Sequence, residues 1–323
     1  MKTFHCTPSA TRLYLLHARL PALAQGRVIF SSGDLNRAEL GIQNPQVFRA
    51  AAGRALQHAV ESLFAVFFPS ACRICQSPLT NISALPVCRS CLGQISGLQG
   101  MLCGICGDKL LGYGRETETG SLCGTCRLAA PLFRRAVAYG AYEGMLRDVI
   151  HLFKYQEVRP AAAFLCRLMM QAVQSLDLPD SLLVIPVPLW RGKRRARGFN
   201  QAEEIARSFV RSQAAAASIQ LDTSSLIRRR ETVSQIGLTR DQRRANLRGA
   251  FAVTRPHRLR DRSVLLIDDV MTTGTTAGEC ARVLLRAGAK EVFVATAARA
   301  TRHSAAGLTV AIAASVGGTQ GHA

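Results

Sequence analysis

VLLIDDVMTTGTT, residues 264–276, is the stretch that decides the fold class of this chain. Four apolar residues favour a buried strand, Asp268 and Asp269 follow it, and a Thr/Gly loop leads into a segment with helical spacing. Backbone N–H groups around Gly274 and at the helix N-terminus form an anion nest, and the threonine hydroxyls add donors that suit a phosphate monoester. Two adjacent carboxylates can accept hydrogen bonds from vicinal hydroxyls, as on a ribose, and can hold Mg²⁺ through waters. Ligands of open α/β sheets bind at this edge, so the stretch predicts a phosphate site rather than a plain acidic strand end.

Strands and helices alternate on both sides of this stretch. Buried-type strands are predicted at 133–142, 182–187, 264–267 and 292–295. Helical spacing of apolar residues marks the segments 145–153, 199–215 and 280–284. The alternation predicts an α/β fold with a mostly parallel, doubly wound sheet and right-handed crossovers.

Four C-x-x-C pairs give residues 72–126 a different character. The pairs are Cys72/Cys75, Cys88/Cys91, Cys103/Cys106 and Cys123/Cys126. Twelve residues separate the first two pairs and 16 the last two, which is the spacing of two zinc ribbons with four thiolates around each ion. A segment so poor in apolar residues needs metal to fold, and four thiolates leave no open ligand position, so two structural zinc ions are predicted. Redox motifs and a disulfide framework are the weaker alternatives, and consecutive pairing is simpler than a cross-brace.

Composition limits the possible classes of protein. The chain has 323 residues, of which 48% are apolar and 19% charged, which excludes a disordered or fibrous chain and suggests two domains with appendages. Its net charge is +20, and residues 191–262 hold 18 Lys and Arg against 6 Asp and Glu. This surplus predicts an anionic partner, which is nucleic acid, acidic lipid or a heavily phosphorylated small molecule.

Two basic segments contain most of this surplus. VIPVPLWRGKRRARGFNQ, residues 184–201, runs from a buried strand into a cationic loop, where Arg197 and its neighbours are placed to neutralise a pyrophosphate. The second segment is LIRRRETVSQIGLTRDQRRAN, residues 226–246, in which residues 228–246 have several cations, few large apolar residues and a central Gly237. That composition suits a mobile flap which closes over the site and excludes water. A solvated surface is the alternative for both segments.

These motifs resemble those of two related protein families. The 264–276 stretch is similar to the motif of type I phosphoribosyltransferases that binds 5-phosphoribosyl 1-pyrophosphate (PRPP). The P-x-P, R-G-F-N-Q, T-x-x-Q and R-x-x-N motifs, the cysteine segment and Lys154-Tyr155 resemble the ComF family over residues 62–300. The resemblance implies a type I phosphoribosyltransferase fold preceded by a small double zinc-ribbon domain.

The resemblance also implies roles for individual residues. In the transferase family the two acids contact the ribose hydroxyls and the loop holds the 5-phosphate, so PRPP is expected to bind Asp268, Asp269, Thr272, Thr273, Gly274, Thr275 and Thr276. A flexible loop is expected to contain Arg228, Thr232, Gln235, Arg240, Arg243 and Asn246. Lys154 and Arg197 are the candidate catalytic residues, with Mg²⁺ on the diphosphate, whereas a helix-face or core role is expected for His151.

Two functions follow from the resemblance and the charge. The first is transfer of a phosphoribosyl group from Mg-PRPP to an acceptor that the sequence does not identify. The second is a non-catalytic protein that binds single-stranded DNA or a nucleotide with the same fold, alongside proteins of the competence machinery, since the ComF family is associated with DNA uptake. The scarcity of aromatic residues in the basic segments argues weakly against a base-stacking platform.

We expect four parts along the chain. These are an extension at 1–50, poorly ordered or upstream of the true start codon, a helix plus double zinc ribbon at 51–130, the phosphoribosyltransferase domain at 131–300, and a tail at 301–323. The helix is predicted at 47–68 and ends at Pro69. Charged residues interrupt the apolar stretch at 13–24 and small residues dominate 304–321, so neither a signal peptide nor a membrane span is expected. The expected location is the cytoplasm.

Overall fold

A computed structural model gives the arrangement of the chain. It describes residues 70–79, 83–110, 121–213, 218–232 and 240–300, without the side chains at 240, 241 and 244. The predicted extension at 1–50, the leading helix at 47–68 and the tail at 301–323 lie outside the described residues. The domain boundaries themselves stay a prediction.

Helices and strands alternate along the described chain after two short helices of the cysteine segment. The elements are α1 (Arg89–Gly93), α2 (Gly124–Leu128), β1 (Arg135–Ala141), α3 (Gly144–Tyr155), α4 (Ala161–Val173), β2 (Leu182–Pro186), α5 (Arg191–Arg197), α6 (Gln201–Ser212), β3 (Ile219–Leu221), β4 (Leu226–Arg228), α7 (Arg240–Leu247), β5 (Phe251–Val253), β6 (Ser263–Met271), α8 (Thr275–Arg286) and β7 (Glu291–Arg299).

The main sheet has the strand order β1-β7-β6-β2-β3, and each neighbouring pair is parallel. This confirms the predicted α/β class and the parallel sheet. The strand predicted at 264–267 is longer than expected, because β6 stays paired with β7 as far as Met271 opposite Arg299. The two carboxylates therefore lie within the paired strand and not beyond it.

Both faces of the sheet are buried, as the apolar runs of its central strands require. Successive residues of β2 alternate between the two sides, so that Val184 belongs to one apolar core and Leu183 to the other. Helices α3, α4 and α6 contribute to the first core, and α8 contributes to the second. The carboxyl ends of the strands, where ligands of such sheets bind, are left at one edge.

The cysteine segment packs along β1, the outermost strand on one side of the sheet. The backbone N–H of Leu98 donates to the Tyr139 carbonyl at 2.7 Å, and the Ala136 N–H donates to the Ile105 carbonyl at 2.7 Å. Cysteines of the first ribbon belong to the core on one face of the sheet, and those of the second ribbon belong to the core on the other. The double ribbon thus straddles β1 and shields its backbone from pairing with another chain.

The second basic segment folds back on itself beside α8. Strands β4 and β5 form an antiparallel pair, and α7 lies between them in the chain. Arg230 donates to the Asn246 and Arg248 carbonyls at 2.9 and 2.8 Å, which satisfies the C-terminal end of α7. The Gly249 N–H donates to Glu279 on α8 at 2.9 Å, so this segment is attached to the helix that follows the phosphate loop.

Candidate functional site

The predicted phosphate loop forms the turn between β6 and α8. Gly274 precedes the helix with φ 76°, in the left-handed region that favours glycine. The first N–H groups of α8 have no partner within the helix and face the turn, where Thr272 and Thr273 are exposed. The hydroxyl oxygens of Thr273 and Thr275 lie 2.7 Å apart. Hydroxyl and N–H donors therefore converge on one turn, as an anion site requires.

Asp268 and Asp269 lie on opposite faces of β6, because successive strand residues alternate. Asp269 is buried and faces α3, where the Nζ of Lys154 lies 2.8 Å from its Oδ1. The side chains of this pair are only 14% and 10% exposed. Burial opposes the charged form of Lys154, but the carboxylate of Asp269 raises the pKa of the ammonium above its usual value. Lys154, predicted as a catalytic residue, is thus a fixed positive charge at the base of the site.

Asp268 has no such partner and is electrostatically strained. Burial and the neighbouring charge of Asp269 raise the pKa of Asp268 to about 7, although the charges of Lys154 and Arg228 act in the opposite direction. Two carboxylates repel each other at this sheet edge. Their oxygens can ligate Mg²⁺ or accept hydrogen bonds from ribose hydroxyls, and either partner would reduce the repulsion. The chemistry of these residues therefore matches the predicted ribose and magnesium site.

Cations from both basic segments form one cluster, in which Arg228 is close enough to Asp268 for their charges to interact. Burial and the positive charges of Arg228 and Arg197 lower the pKa of Lys193, which brings α5 and β4 into one cluster. Arg228 packs 5.4 Å from the Phe251 ring centroid and donates to the Thr232 hydroxyl, while its Nε is buried without a partner. The prediction of a cationic loop after β2 is wrong about the backbone, because residues Arg191–Arg197 form the short helix α5.

The R-G-F-N-Q motif joins these cations to the sheet. Gly198 ends α5 with φ 71°, and Phe199 packs against Phe153 with the ring centroids 5.3 Å apart. The Asn200 side chain donates to the Val187 carbonyl at 3.0 Å and accepts from the Ala202 N–H at 3.2 Å, so it links the end of β2 to the start of α6. The motif fixes the position of Arg197, whose Nη1 donates to the Gln201 Oε1 at 3.4 Å.

The residues predicted for the flexible loop are distributed over several elements. Arg228 ends β4, Thr232 is buried, and Arg240, Arg243 and Asn246 belong to α7. Gln235 lies outside the described residues. The flexibility of this segment stays a prediction.

The eight cysteines of the four C-x-x-C motifs are free thiols that lie in two sets of four. The sets are Cys72, Cys75, Cys88 and Cys91, and Cys103, Cys106, Cys123 and Cys126. This confirms consecutive pairing. The Sγ atoms of Cys75 and Cys88 lie 3.6 Å apart and those of Cys106 and Cys123 lie 3.7 Å apart. A Zn–S bond of about 2.3 Å gives tetrahedral edges of about 3.8 Å, so both sets fit one Zn²⁺ each.

Arg299, at the end of β7, joins the second ribbon to the sheet and was missed from the sequence. Its Nε lies 3.4 Å from the Asp108 Oδ1, its Nη2 lies 3.6 Å from the Cys106 Sγ, and the ion pair is buried. Asp108 lies two residues after Cys106, but its partner is 191 residues away in the chain, so no local pattern predicts this contact. Tyr142 was also missed, although the charges of Lys154 and Asp269 reach it.

Two family models match the chain in the predicted order. The double zinc ribbon domain matches residues 63–127, and the phosphoribosyl transferase domain matches residues 195–311. A solved structure of glutamine PRPP amidotransferase from B. subtilis, complexed with ADP and GMP, overlaps 42% of this chain and 26% of its own at 18% identity. The TM-score of 0.28 is too low to support a conclusion.

Several curated bacterial proteins are similar over most of their length. DNA utilization protein YhgH of Escherichia coli O157:H7 is 32% identical over 232 residues, which are 70% of this chain and 95% of that protein. Competence protein F of Haemophilus influenzae is 32% identical over 245 residues, which are 72% of this chain and 99% of that protein. Competence protein ComFC of Bacillus subtilis is 24% identical over 210 residues, 62% of this chain and 79% of that protein.

In the described part of the chain, no helix is both long and apolar enough to cross a membrane.

Proposed function

Because this chain belongs to the ComF family, in which a double zinc ribbon precedes a phosphoribosyltransferase domain, we propose that it binds PRPP with Mg²⁺ and transfers the phosphoribosyl group to an acceptor. The observation that carries this function is the meeting of three features at one sheet edge. These are the donor turn at 272–276, the Asp268-Asp269 pair with Lys154, and the cations around Arg197.

Each feature serves one part of PRPP. The turn at 272–276 holds the 5-phosphate with N–H and hydroxyl donors. Asp268 and Asp269 accept hydrogen bonds from the ribose hydroxyls and would hold Mg²⁺ through waters. When it is bound, Mg²⁺ supplies positive charge on the diphosphate. Arg197 and Lys193 neutralise the pyrophosphate, and Lys154 holds the Asp269 side chain in place through their 2.8 Å ion pair.

The reaction is a displacement at the anomeric carbon. The bond from this carbon to the pyrophosphate oxygen breaks, its electron pair leaves with pyrophosphate, and the acceptor bonds to the carbon. The cations lower the barrier because the charge that develops on the leaving oxygen is met by groups already in position.

Thermal unfolding with and without Mg-PRPP tests the binding step. PRPP at about 100 times its Kd stabilises the protein by about 2.7 kcal/mol, which raises the melting temperature by several degrees. The Asp268→Asn/Asp269→Asn variant loses this shift. Asp177→Asn serves as a control, since Asp177 is exposed and precedes β2, at the opposite edge of the sheet. A wild-type protein that Mg-PRPP does not stabilise, or an Asn/Asn variant that responds equally, contradicts the function.

Release of pyrophosphate tests turnover separately. The wild-type protein is expected to release pyrophosphate from Mg-PRPP when the acceptor is supplied, for which nucleobases and nucleotides are the first candidates. The Arg197→Met variant is expected to bind the 5-phosphate end but to release pyrophosphate at least tenfold more slowly. Equal rates for both proteins would remove Arg197 from the catalytic residues.

A second function, binding of single-stranded DNA or a nucleotide without catalysis, is favoured by the charge. Residues 191–262 carry a surplus of 12 positive charges, 18 minus 6, which exceeds what one sugar with three phosphates needs. The related proteins named for competence and DNA utilization are consistent with this function. Affinity for single-stranded DNA should fall steeply as salt rises, because each phosphate contact releases counterions. A flat salt response contradicts this function.

Both functions place the protein in the reducing cytoplasm, beside the proteins of the competence machinery. Eight free thiols in two ligand sets require a compartment that keeps cysteines reduced. Fractionation of cells that produce the tagged full chain would test this location.

A further inference from the structure

Three aromatic rings form a row at the C-terminal end of β1 and along α3. Tyr142 follows β1, and its hydroxyl lies 3.1 Å from the Nε2 of His151. The two ring centroids are 6.4 Å apart with an interplanar angle of 30°. The ring of Tyr155, one helical turn after His151, lies 5.3 Å from the imidazole centroid. Lys154, which pairs with Asp269, directly precedes Tyr155 in α3, and its charge acts on both Tyr142 and His151, so the row borders the candidate PRPP site.

Two of the three rings are exposed although packing does not require it. Tyr155 is 64% exposed and His151 is exposed as well, whereas Tyr142 is half-buried. By contrast, Phe153 of the same helix is fully buried against Phe199. Among the described residues, Tyr155 is the exposed large aromatic side chain, and the other exposed large hydrophobic residues are Met101, Leu128 and Leu132. An exposed ring beside an anion site is a surface on which a planar ligand can stack.

Arg197 connects the row to α5. Its guanidinium carbon lies 5.2 Å from the centroid of the Tyr155 ring. On α5, Arg191, Lys193 and Arg195 are exposed. Within the described residues, α5 forms one ion pair, between Arg194 and Glu203 at 3.5 Å. The aromatic row therefore lies beside cations of α5 that have no acidic partner in this part of the chain. Proteins that bind single strands use rings to stack bases and cations to bind phosphates.

We propose that Tyr142, His151 and Tyr155 form a stacking subsite for a nucleobase of single-stranded nucleic acid, whose phosphates lie on α5. A duplex keeps its bases stacked on one another, so an unpaired base is what can cover an exposed ring. A strand also supplies several phosphates for α5, which a mononucleotide does not. This subsite rests on the nucleic-acid function above and not on PRPP binding. The scarcity of aromatic residues in the basic segments does not argue against this subsite, because its rings come from α3 and from the residue that follows β1.

Fluorescence anisotropy with the zinc-loaded full chain tests the subsite. The probes are a labelled oligo(dT) of about 12 nucleotides, within the usual site size, and an abasic strand of the same length. Tyr155→Ala is expected to weaken binding of oligo(dT) about tenfold, whereas Tyr155→Phe keeps it. Leu128→Ala, which also removes an exposed side chain, is the matched control and should leave binding unchanged. The abasic strand should bind more weakly to the wild type and should not distinguish wild type from Tyr155→Ala.

Three results would overturn the subsite. One is equal affinity of wild type and Tyr155→Ala for oligo(dT), and another is an equal loss on the abasic strand, which would mean that Tyr155 acts on the backbone. The third is competition by thymidine monophosphate as strong as that by the strand, which would make a free nucleotide the ligand. Thermal unfolding with Mg-PRPP keeps the two functions apart, because Tyr155→Ala should still be stabilised by Mg-PRPP. If Mg-PRPP does not stabilise the wild type but Tyr155 contributes to oligo(dT) binding, the transferase function is refuted and the stacking subsite is supported.

Discussion

At the scale of single residues, Asp268 and Asp269 are adjacent in the chain but have different surroundings. The pleat of β6 turns Asp269 toward α3 and its ion pair with Lys154. Asp268 is turned to the other face, where burial and the charge of Asp269 raise its pKa to about 7. A ligand that donates hydrogen bonds or positive charge to Asp268 would stabilise its carboxylate. Without such a ligand, the charged form of Asp268 destabilises the folded protein.

The Asp268→Asn variant is expected to be more stable than the unliganded wild type above pH 7. The pKa of Asp268 is about 7 in the folded protein and about 4 in the unfolded chain, so the folded state binds more protons between these values. The free energy of unfolding then falls as the pH rises from about 4 to about 7. Urea unfolding at pH 5 and pH 8, with EDTA and without PRPP, should show an advantage of Asn at pH 8 that is larger by about 2 kcal/mol.

Asp177→Asn is the control for this measurement, because Asp177 is exposed and its replacement should have the same small effect at both pH values. If Asp268→Asn is destabilising at pH 8, or if its effect does not depend on pH, the electrostatic strain at Asp268 is absent. The variant should also have lost its response to Mg-PRPP, so that stability and function change in opposite directions.

At the scale of elements, the Cys103/Cys106 pair of the second ribbon packs against β1 without spare room. Gly107, directly after Cys106, has φ 66°. A Cβ atom at this position would lie 2.8 Å from the Ala136 carbonyl oxygen, a backbone atom that cannot move aside cheaply. Gly124 also follows a cysteine of the same ribbon, but a Cβ atom there would meet nothing within 4 Å.

Gly107→Ala and Gly124→Ala form a matched pair. Gly107→Ala should destabilise the zinc-loaded protein by about 2 kcal/mol, because it combines an unfavourable φ with a clash against β1. Gly124→Ala, in the first turn of α2, should be neutral or stabilising by about 0.5 kcal/mol. Thermal unfolding of both variants measures the difference. Similar melting temperatures would mean that the ribbon does not pack on β1 as described.

The sequence predicts those elements whose signal is local. Buried runs predicted the central strands, and the C-x-x-C spacing predicted both thiol sets. Where α5 forms, the sequence predicts a loop, since the cations of this helix have no apolar period and its C-terminal end depends on Gly198. The position of the ribbons along β1 depends on contacts such as Arg299 with Asp108, which join residues far apart in the chain and leave no local pattern.

At the scale of the whole molecule, the ribbons and the sheet share their apolar cores. Cys72 and Cys91 belong to the core that includes α3 and α4, and Cys103 and Cys126 belong to the one that includes α8. Arg299 adds a buried ion pair between the second ribbon and the last strand. Loss of the metal should therefore disturb the transferase domain as well as the ribbons.

Removal of zinc with a strong chelator is expected to unfold the described chain in one transition and to release about two zinc ions per molecule. The melting temperature should fall, and the exposed edge of β1 should promote aggregation. Far-UV circular dichroism, light scattering and a colorimetric zinc assay measure these effects. If the chelated protein keeps its sheet signal and its stabilisation by Mg-PRPP, the ribbons are independent of the transferase domain.

The position of the double ribbon across β1 also limits how this protein can lose or exchange its domains during evolution. A gene rearrangement that removed the ribbons would leave the remaining sheet with a bare outer strand and an unpaired buried arginine at position 299. Such a deletion would have to be accompanied by a new cover for the strand and by a change at that arginine. Ribbons and transferase domain should therefore be inherited together, and shuffling of the ribbons to other proteins as a separate cassette should be rare.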